Sequence, residues 1–146
     1  MNRYMELKQR QQAEFNAFPM QFAFSEQQFA EGMAALGLAP SDTDKIYKTP
    51  GGGFYRKEDG QRLKDMTDRF DQELAEAIAA DKTGEGFIYE MFLYELDSHE
   101  YGYTGDTGET LDALGYTAAE ILGNPRLKRG IEKAVTEIYA RNEESS

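Results

Sequence analysis

The sequence predicts a mainly α fold of the α+β kind: a compact helical domain with a small β-hairpin around residues 45–57. Three observations carry this. Apolar residues recur at helical spacing from about 61 to 80, and a second stretch, 87–96, is apolar nearly all round. Shorter stretches open on Ser, Thr or Asn and close on Gly, the residue types that start and stop helices. Between Lys45 and Lys57 two short runs flank a Pro-Gly-Gly-Gly turn, the one hairpin signal in the chain.

Asn2 to Asn16 is rich in Glu, Gln, Lys and Arg, with Tyr4, Leu7 and Phe15 as a narrow apolar stripe. It reads as an exposed helix ended by Pro19. Met20 to Phe24 alternates large with small or polar side chains, which predicts a short extended segment with Met20, Phe22 and Phe24 together in the core. Ser25 and Gln28 have capping-box spacing; Phe29, Met33 and Leu36 follow at helical intervals, and Gly37 supplies the stop. Ala39 to Asp42 is a turn, and Lys45–Thr49 and Phe54–Lys57 then make the hairpin or a flexible loop.

From Gln61 to Ala80, Leu63, Met66, Phe70, Leu74, Ala77 and Ile78 share one helix face, with Asp65, Asp68, Glu73 and Glu76 mostly on the other. Phe87 to Leu96 is apolar nearly all round and reads as the central core helix, a buried strand being the alternative that periodicity leaves open. Tyr101 to Gly108 is a loop by composition. Glu109–Leu114 stops at Gly115, Thr117 and Glu120 form a second capping box, and Asn124-Pro125 starts a final helix. Leu127, Ile131, Val135 and Ile138 make its apolar stripe, and Arg141 to Ser146 should fray. Residues 33–38 and 111–116 echo each other as a shared helix ending rather than as a duplication.

A chain of 146 residues with 40% hydrophobic content is long enough for one core and too short for two, so a single domain over 1–146 is expected. Cysteine is absent, which removes disulfides, thiolate metal sites and a cysteine nucleophile. No stretch has signal-peptide or membrane-span character, and a cytoplasmic protein is expected.

The formal net charge is −11, concentrated in one region. From Asp65 to Glu120 there are 15 acids against only Arg69 and Lys82. Such a block repels nucleic acid and anionic membranes, so neither is an expected partner, although the last helix gathers Arg126, Lys128, Arg129, Lys133 and Arg141.

His99 is the sole histidine, which excludes a multi-histidine metal site and a histidine-based triad beyond this one residue. Glu95 lies four residues earlier, a spacing that suits either a shared ligand or a histidine near a helix C-terminus favoured by the macrodipole. The acid-rich loop from Asp97 to Glu109 lacks the alternating ligands of an EF-hand. Pro50-Gly51-Gly52-Gly53 lacks the Lys-Ser/Thr of a phosphate loop and reads as a turn. No carboxylate pair is singled out for acid-base work, so the sequence predicts no catalytic residue, no metal site and no cofactor.

What remains is the acidic surface. Carboxylates three and four apart on a helix stand about 5–6 Å apart, comparable to successive phosphates on a nucleic-acid strand. The expected partner-binding residues are Asp65, Asp68, Glu73, Glu76, Glu95, Asp97, Glu100, Asp106, Glu109 and Asp112, with Tyr89, Tyr94, Tyr101 and Tyr103 nearby as anchors. The alternative is that the acids serve solubility alone.

Arg10-Gln11-Gln12, Phe22-Ala23-Phe24-Ser25, Glu31-Gly32-Met33, Asp42 to Tyr47, Gly53 to Asp59, Ile88 to Phe92 and Leu111 to Gly115 resemble runs in short acidic proteins of phages and mobile elements of gut Firmicutes. That resemblance implies a small accessory protein that antagonises host defence in the bacterial cytoplasm. It implies a nucleic-acid-binding defence protein as partner, such as an RNA-guided CRISPR nuclease that this protein inhibits. It assigns no binding residues. The rival expectation is an acidic scaffold, homodimeric through the Phe-rich N-terminal region.

Overall fold

The computed structural model describes residues 2–145 and is mainly α with one small sheet, as the sequence predicts. The helices are α1 (Arg3–Asn16), α2 (Glu26–Ala35), α3 (Gly60–Ala80), α4 (Phe87–Ser98), α5 (Tyr101–Thr104), α6 (Gly108–Leu114), α7 (Ala118–Leu122) and α8 (Pro125–Ser145). The strands β1 (Gln21–Phe22), β2 (Ile46–Lys48) and β3 (Gly53–Arg56) form an antiparallel sheet in the order β1-β3-β2. The chain gathers into two units, Met1–Gln9 with Glu73–Ser146, and Arg10–Gln72.

In the first unit α4 is the central element, as its composition predicts. Ile88, Met91, Phe92 and Leu96 are fully buried, and Phe87 of the same helix, Tyr4 and Leu7 of α1, Tyr101, Ile121, Leu127, Ala134 and Ile138 complete the cluster around them. α4 packs along α8, and α5 and α6 also lie against α4. α8 starts where Asn124 accepts the backbone N–H groups of Arg126 and Leu127 at 3.1 and 3.2 Å, satisfying donors that the first turn leaves over. It runs through Ser145, past the expected point of fraying. Arg141 pairs with Asp97 at 3.1 Å and Asn142 donates to the Gly102 carbonyl at 3.3 Å, which ties down that end; Ser146 lies outside the described residues.

The expected loop from Tyr101 to Gly108 contains the one-turn helix α5. Its Gly and Thr composition favours a loop, but burial of the Tyr101 ring against Tyr139 overrides that preference.

In the second unit β2 and β3 form the expected hairpin, with Ile46 opposite Arg56 and Lys48 opposite Phe54. Phe54 faces α2 and packs with Met33, Leu36 and Ile46. The Ser25 hydroxyl accepts the Gln28 N–H at 3.2 Å, while the Gln28 side chain reaches back to Phe24 N–H at 2.7 Å, one residue earlier than a capping box would place it.

One expectation is overturned in this unit. Within Met20 to Phe24 only Gln21–Phe22 forms a strand, and Phe22 is 55% and Phe24 79% exposed, so this aromatic pair does not join the core. The alternation is right and the inward face is wrong. Phe22 stands opposite Gly53, on the sheet face away from Phe54, while Gln21 stands opposite Phe54.

The echo between residues 33–38 and 111–116 is a shared helix ending. Gly37 and Gly115 take φ of +75° and +76°, and Leu38 and Tyr116 donate back to Met33 and Leu111 at 2.8 and 3.0 Å.

Candidate functional site

The ten acids expected to bind a partner fall into both units. Asp65 and Asp68 belong to the second, on the exposed side of α3, where Asp65 accepts from Gln61 at 2.8 Å and Asp68 pairs with Lys64 at 2.6 Å. Glu73 and Glu76 lie on the part of α3 in the first unit, Glu73 half-buried and Glu76 exposed.

Glu95 departs from its expected place on the surface. It is 4% exposed, because α4 turns this position toward α1. Its carboxylate accepts from the Tyr4 hydroxyl at 2.6 Å and from the Lys8 ammonium at 3.1 Å. Burial acts to raise its carboxyl pKa, but the bonds from Tyr4 and Lys8, with the Lys8 and His99 charges, outweigh burial and hold it below the usual carboxylate value. Tyr4 shifts the opposite way: burial, then its bond to Glu95, push the hydroxyl far above its ordinary value.

His99 caps the C-terminal end of α4, with Nε2 3.4 Å from Glu95 and Nδ1 3.5 Å from Glu109. Both ring nitrogens therefore face carboxylates rather than a cleft. Among the described residues no group of three or more His, Asp or Glu side chains is placed to share a metal ion.

The remaining expected residues cluster from the end of α4 to α6, and all five are exposed. Asp97 pairs with Arg141; Asp106 accepts the Gly108 N–H at 2.8 Å; Glu109 faces His99. Glu100 and Asp112 have no ion pair among the described residues. Of the four tyrosines expected as anchors, Tyr103 is 94% exposed, Tyr101 is buried, and Tyr89 and Tyr94 are half-buried. Asp97, Glu100 and Tyr103 line a cavity of about 190 Å³ with Ile138 and Arg141.

Residues 3–137 match the model of a family of unknown function, DUF7659. The chain belongs to DUF7659. No curated protein and no solved structure matches it. The part matched to DUF7659 takes in Tyr4, Glu95, His99 and the acids from Asp97 to Asp112.

Sequence reasoning overlooked Asp81, which organises the link between α3 and α4. Its carboxylate accepts the backbone N–H groups of Gly84, Gly86 and Ile88 at 3.0, 3.1 and 3.0 Å. Burial works to raise this carboxyl, and the three backbone donors with Thr83 more than offset it, so it sits below its usual value. The Arg126 guanidinium completes the arrangement by donating to the carbonyls of Ile78 and Asp81 at 3.0 and 2.8 Å. The available signal was an Asp just after a helical stripe and ahead of two glycines, a side-chain-to-backbone turn pattern.

Proposed function

We propose that this protein is a non-enzymatic acidic interaction protein, acting in the host bacterial cytoplasm by occupying the basic, nucleic-acid-binding surface of a defence protein such as an RNA-guided CRISPR nuclease. One observation carries the reading: the stretch between Lys82 and Arg126 holds nine acids and no Lys or Arg, and seven of the nine are exposed. The two that are drawn inward, Glu90 and Glu95, are met by Arg3 and Lys8 of α1. The cations brought to this stretch from α1 thus serve chiefly its inward-facing acids, and most of the outward ones keep their charge for a partner. A surface of one sign attracts a basic groove over several ångströms and speeds encounter. The class of partner rests on the resemblance to phage and mobile-element proteins.

The test is binding of the full chain to a panel of RNA-guided nucleases at rising salt. Affinity that falls steeply with salt, and falls again in E100K/D112K, supports the reading; absent binding at low salt, or binding indifferent to salt, overturns it. A parallel D65K/D68K variant reports whether the acids of the second unit contribute.

The exposed Phe22 and Phe24 favour a second reading, an acidic scaffold that dimerises through the Phe-rich segment. Mass measurement in solution separates the two. A dimer that becomes monomeric on Phe24→Ser, with nuclease binding absent throughout, selects the scaffold.

A further inference from the structure

We infer that the cavity between α5 and the end of α8 is a seat for a single arginine side chain of a basic partner, with the guanidinium stacked on Tyr103 and paired to Glu100. The inference rests on the acidic-surface reading above and names the chemistry that this surface recognises.

Size comes first. The cavity holds about 190 Å³, below the roughly 300–1,000 Å³ of pockets that enclose small-molecule ligands and cofactors. It suits one long side chain. Its lining supplies what an arginine asks for: an apolar wall from Ile138, an aromatic face from Tyr103, and carboxylates from Asp97 and Glu100. A planar guanidinium stacks on aromatic rings and forks onto carboxylates, whereas an ammonium does neither as well.

Charge within the cavity then selects the sign of the occupant. Arg141 also lines it, but its guanidinium is paired with Asp97 at 3.1 Å and with Glu137 at 3.7 Å. Asn142 is held by the Gly102 carbonyl. The charge left without a counter-ion among the described residues is that of Glu100.

The backbone fixes where Glu100 stands, at the turn between α4 and α5. Glu100 is the one non-glycine residue with positive φ among those described, at +59°. Left-handed backbone costs a residue with a Cβ about 1–2 kcal/mol, and glycine would occupy it without that penalty. That backbone holds Glu100 among the residues that line the cavity. Tyr103 lines it too, and an aromatic side chain 94% exposed contributes almost nothing to the fold.

Titration of the full chain with N-acetyl-arginine amide, followed by amide and aromatic NMR shifts, tests this. The expected result is movement of Gly102 and Tyr103, little movement with the citrulline amide, and binding weakened about tenfold by Glu100→Gln and comparably by Tyr103→Ala. Equal shifts from citrulline, equal affinity for the lysine amide, or a silent Tyr103 overturn the seat. A polyarginine peptide separates the two levels. If it binds while residues 100–103 stay silent, the seat is lost and the acidic-surface reading stands; if it does not bind at low salt, both fall.

Discussion

The Tyr4 hydroxyl donates a 2.6 Å hydrogen bond to Glu95, fastening the start of the chain to a buried carboxylate 91 positions later. Lys8, one turn further along α1, reaches the same carboxylate oxygen. This turn of α1 docks through a polar latch as well as through its narrow stripe of Tyr4 and Leu7.

Replacing Glu95 with Ala strands the Tyr4 hydroxyl in the core and removes the partner of Lys8. The expected loss is about 2–3 kcal/mol, as for other buried charged hydrogen bonds. Tyr4→Phe should cost about 1–2 kcal/mol, and the double variant should lose less than the sum because both changes break one bond. Urea unfolding measures all three, and a strictly additive double variant would show that Tyr4 and Glu95 do not depend on each other.

Acid should loosen the same latch. The folded Glu95 carboxyl lies below its ordinary value, so its contribution is fully present above the unfolded value, about 4.3, and is lost as pH falls through the lowered folded value. Asp81 follows the same sign from an unfolded value of about 3.9. Urea midpoints recorded from pH 6 down to pH 3 should therefore fall more steeply for the native chain than for Glu95→Gln. Parallel acid limbs would contradict this.

Two glycines with positive φ separate backbone strain from close packing. A Cβ on Gly84, at φ +87°, would lie 2.1 Å from the Arg126 carbonyl oxygen, whereas one on Gly115, at φ +76°, meets nothing within 4 Å. Gly115→Ala should cost about 1 kcal/mol from the backbone alone, and Gly84→Ala about 3 kcal/mol or more because the loop must also move off α8. Thermal unfolding ranks them, and equal losses would mean that the Asp81 loop yields freely.

The stripes and caps were legible because their causes are local. Helical spacing of Leu63 through Ile78 and the Thr117–Glu120 box need only near neighbours, and α3 and α7 fall where those patterns put them. Glu95 was misread because its partners lie in α1, and no spacing within 87–98 marks which polar position a distant helix will cover. Phe22 and Phe24 were misread because alternation gives two faces without saying which one α2 will cover. Asp81 escaped because side-chain bonds to backbone leave no periodic trace.

Phe24 and Phe54 provide a direct check on that second misreading. Phe54 is buried among Met33, Leu36 and Ile46, so Phe54→Ala should cost about 3–5 kcal/mol. Phe24→Ser, at a surface position, should stay within about 0.5 kcal/mol while improving solubility or changing oligomeric mass. A large loss of stability in Phe24→Ser would return this ring to the core.

Glycine at position 100 sets stability against recognition. It relieves the left-handed strain, about 1–2 kcal/mol, but raises the entropy of the unfolded chain by roughly 0.5–1 kcal/mol, so Glu100→Gly should stabilise by about 0.5 kcal/mol. The carboxylate disappears in the same step, and affinity for basic peptides should drop. Glu100→Gln keeps the strain and removes only the charge, so it should lose affinity with stability unchanged. Denaturation and peptide titration of both variants give four numbers from one position. Retained affinity in the stabilised glycine variant would show that a strained backbone at the end of α4 serves the turn into α5 and not a partner.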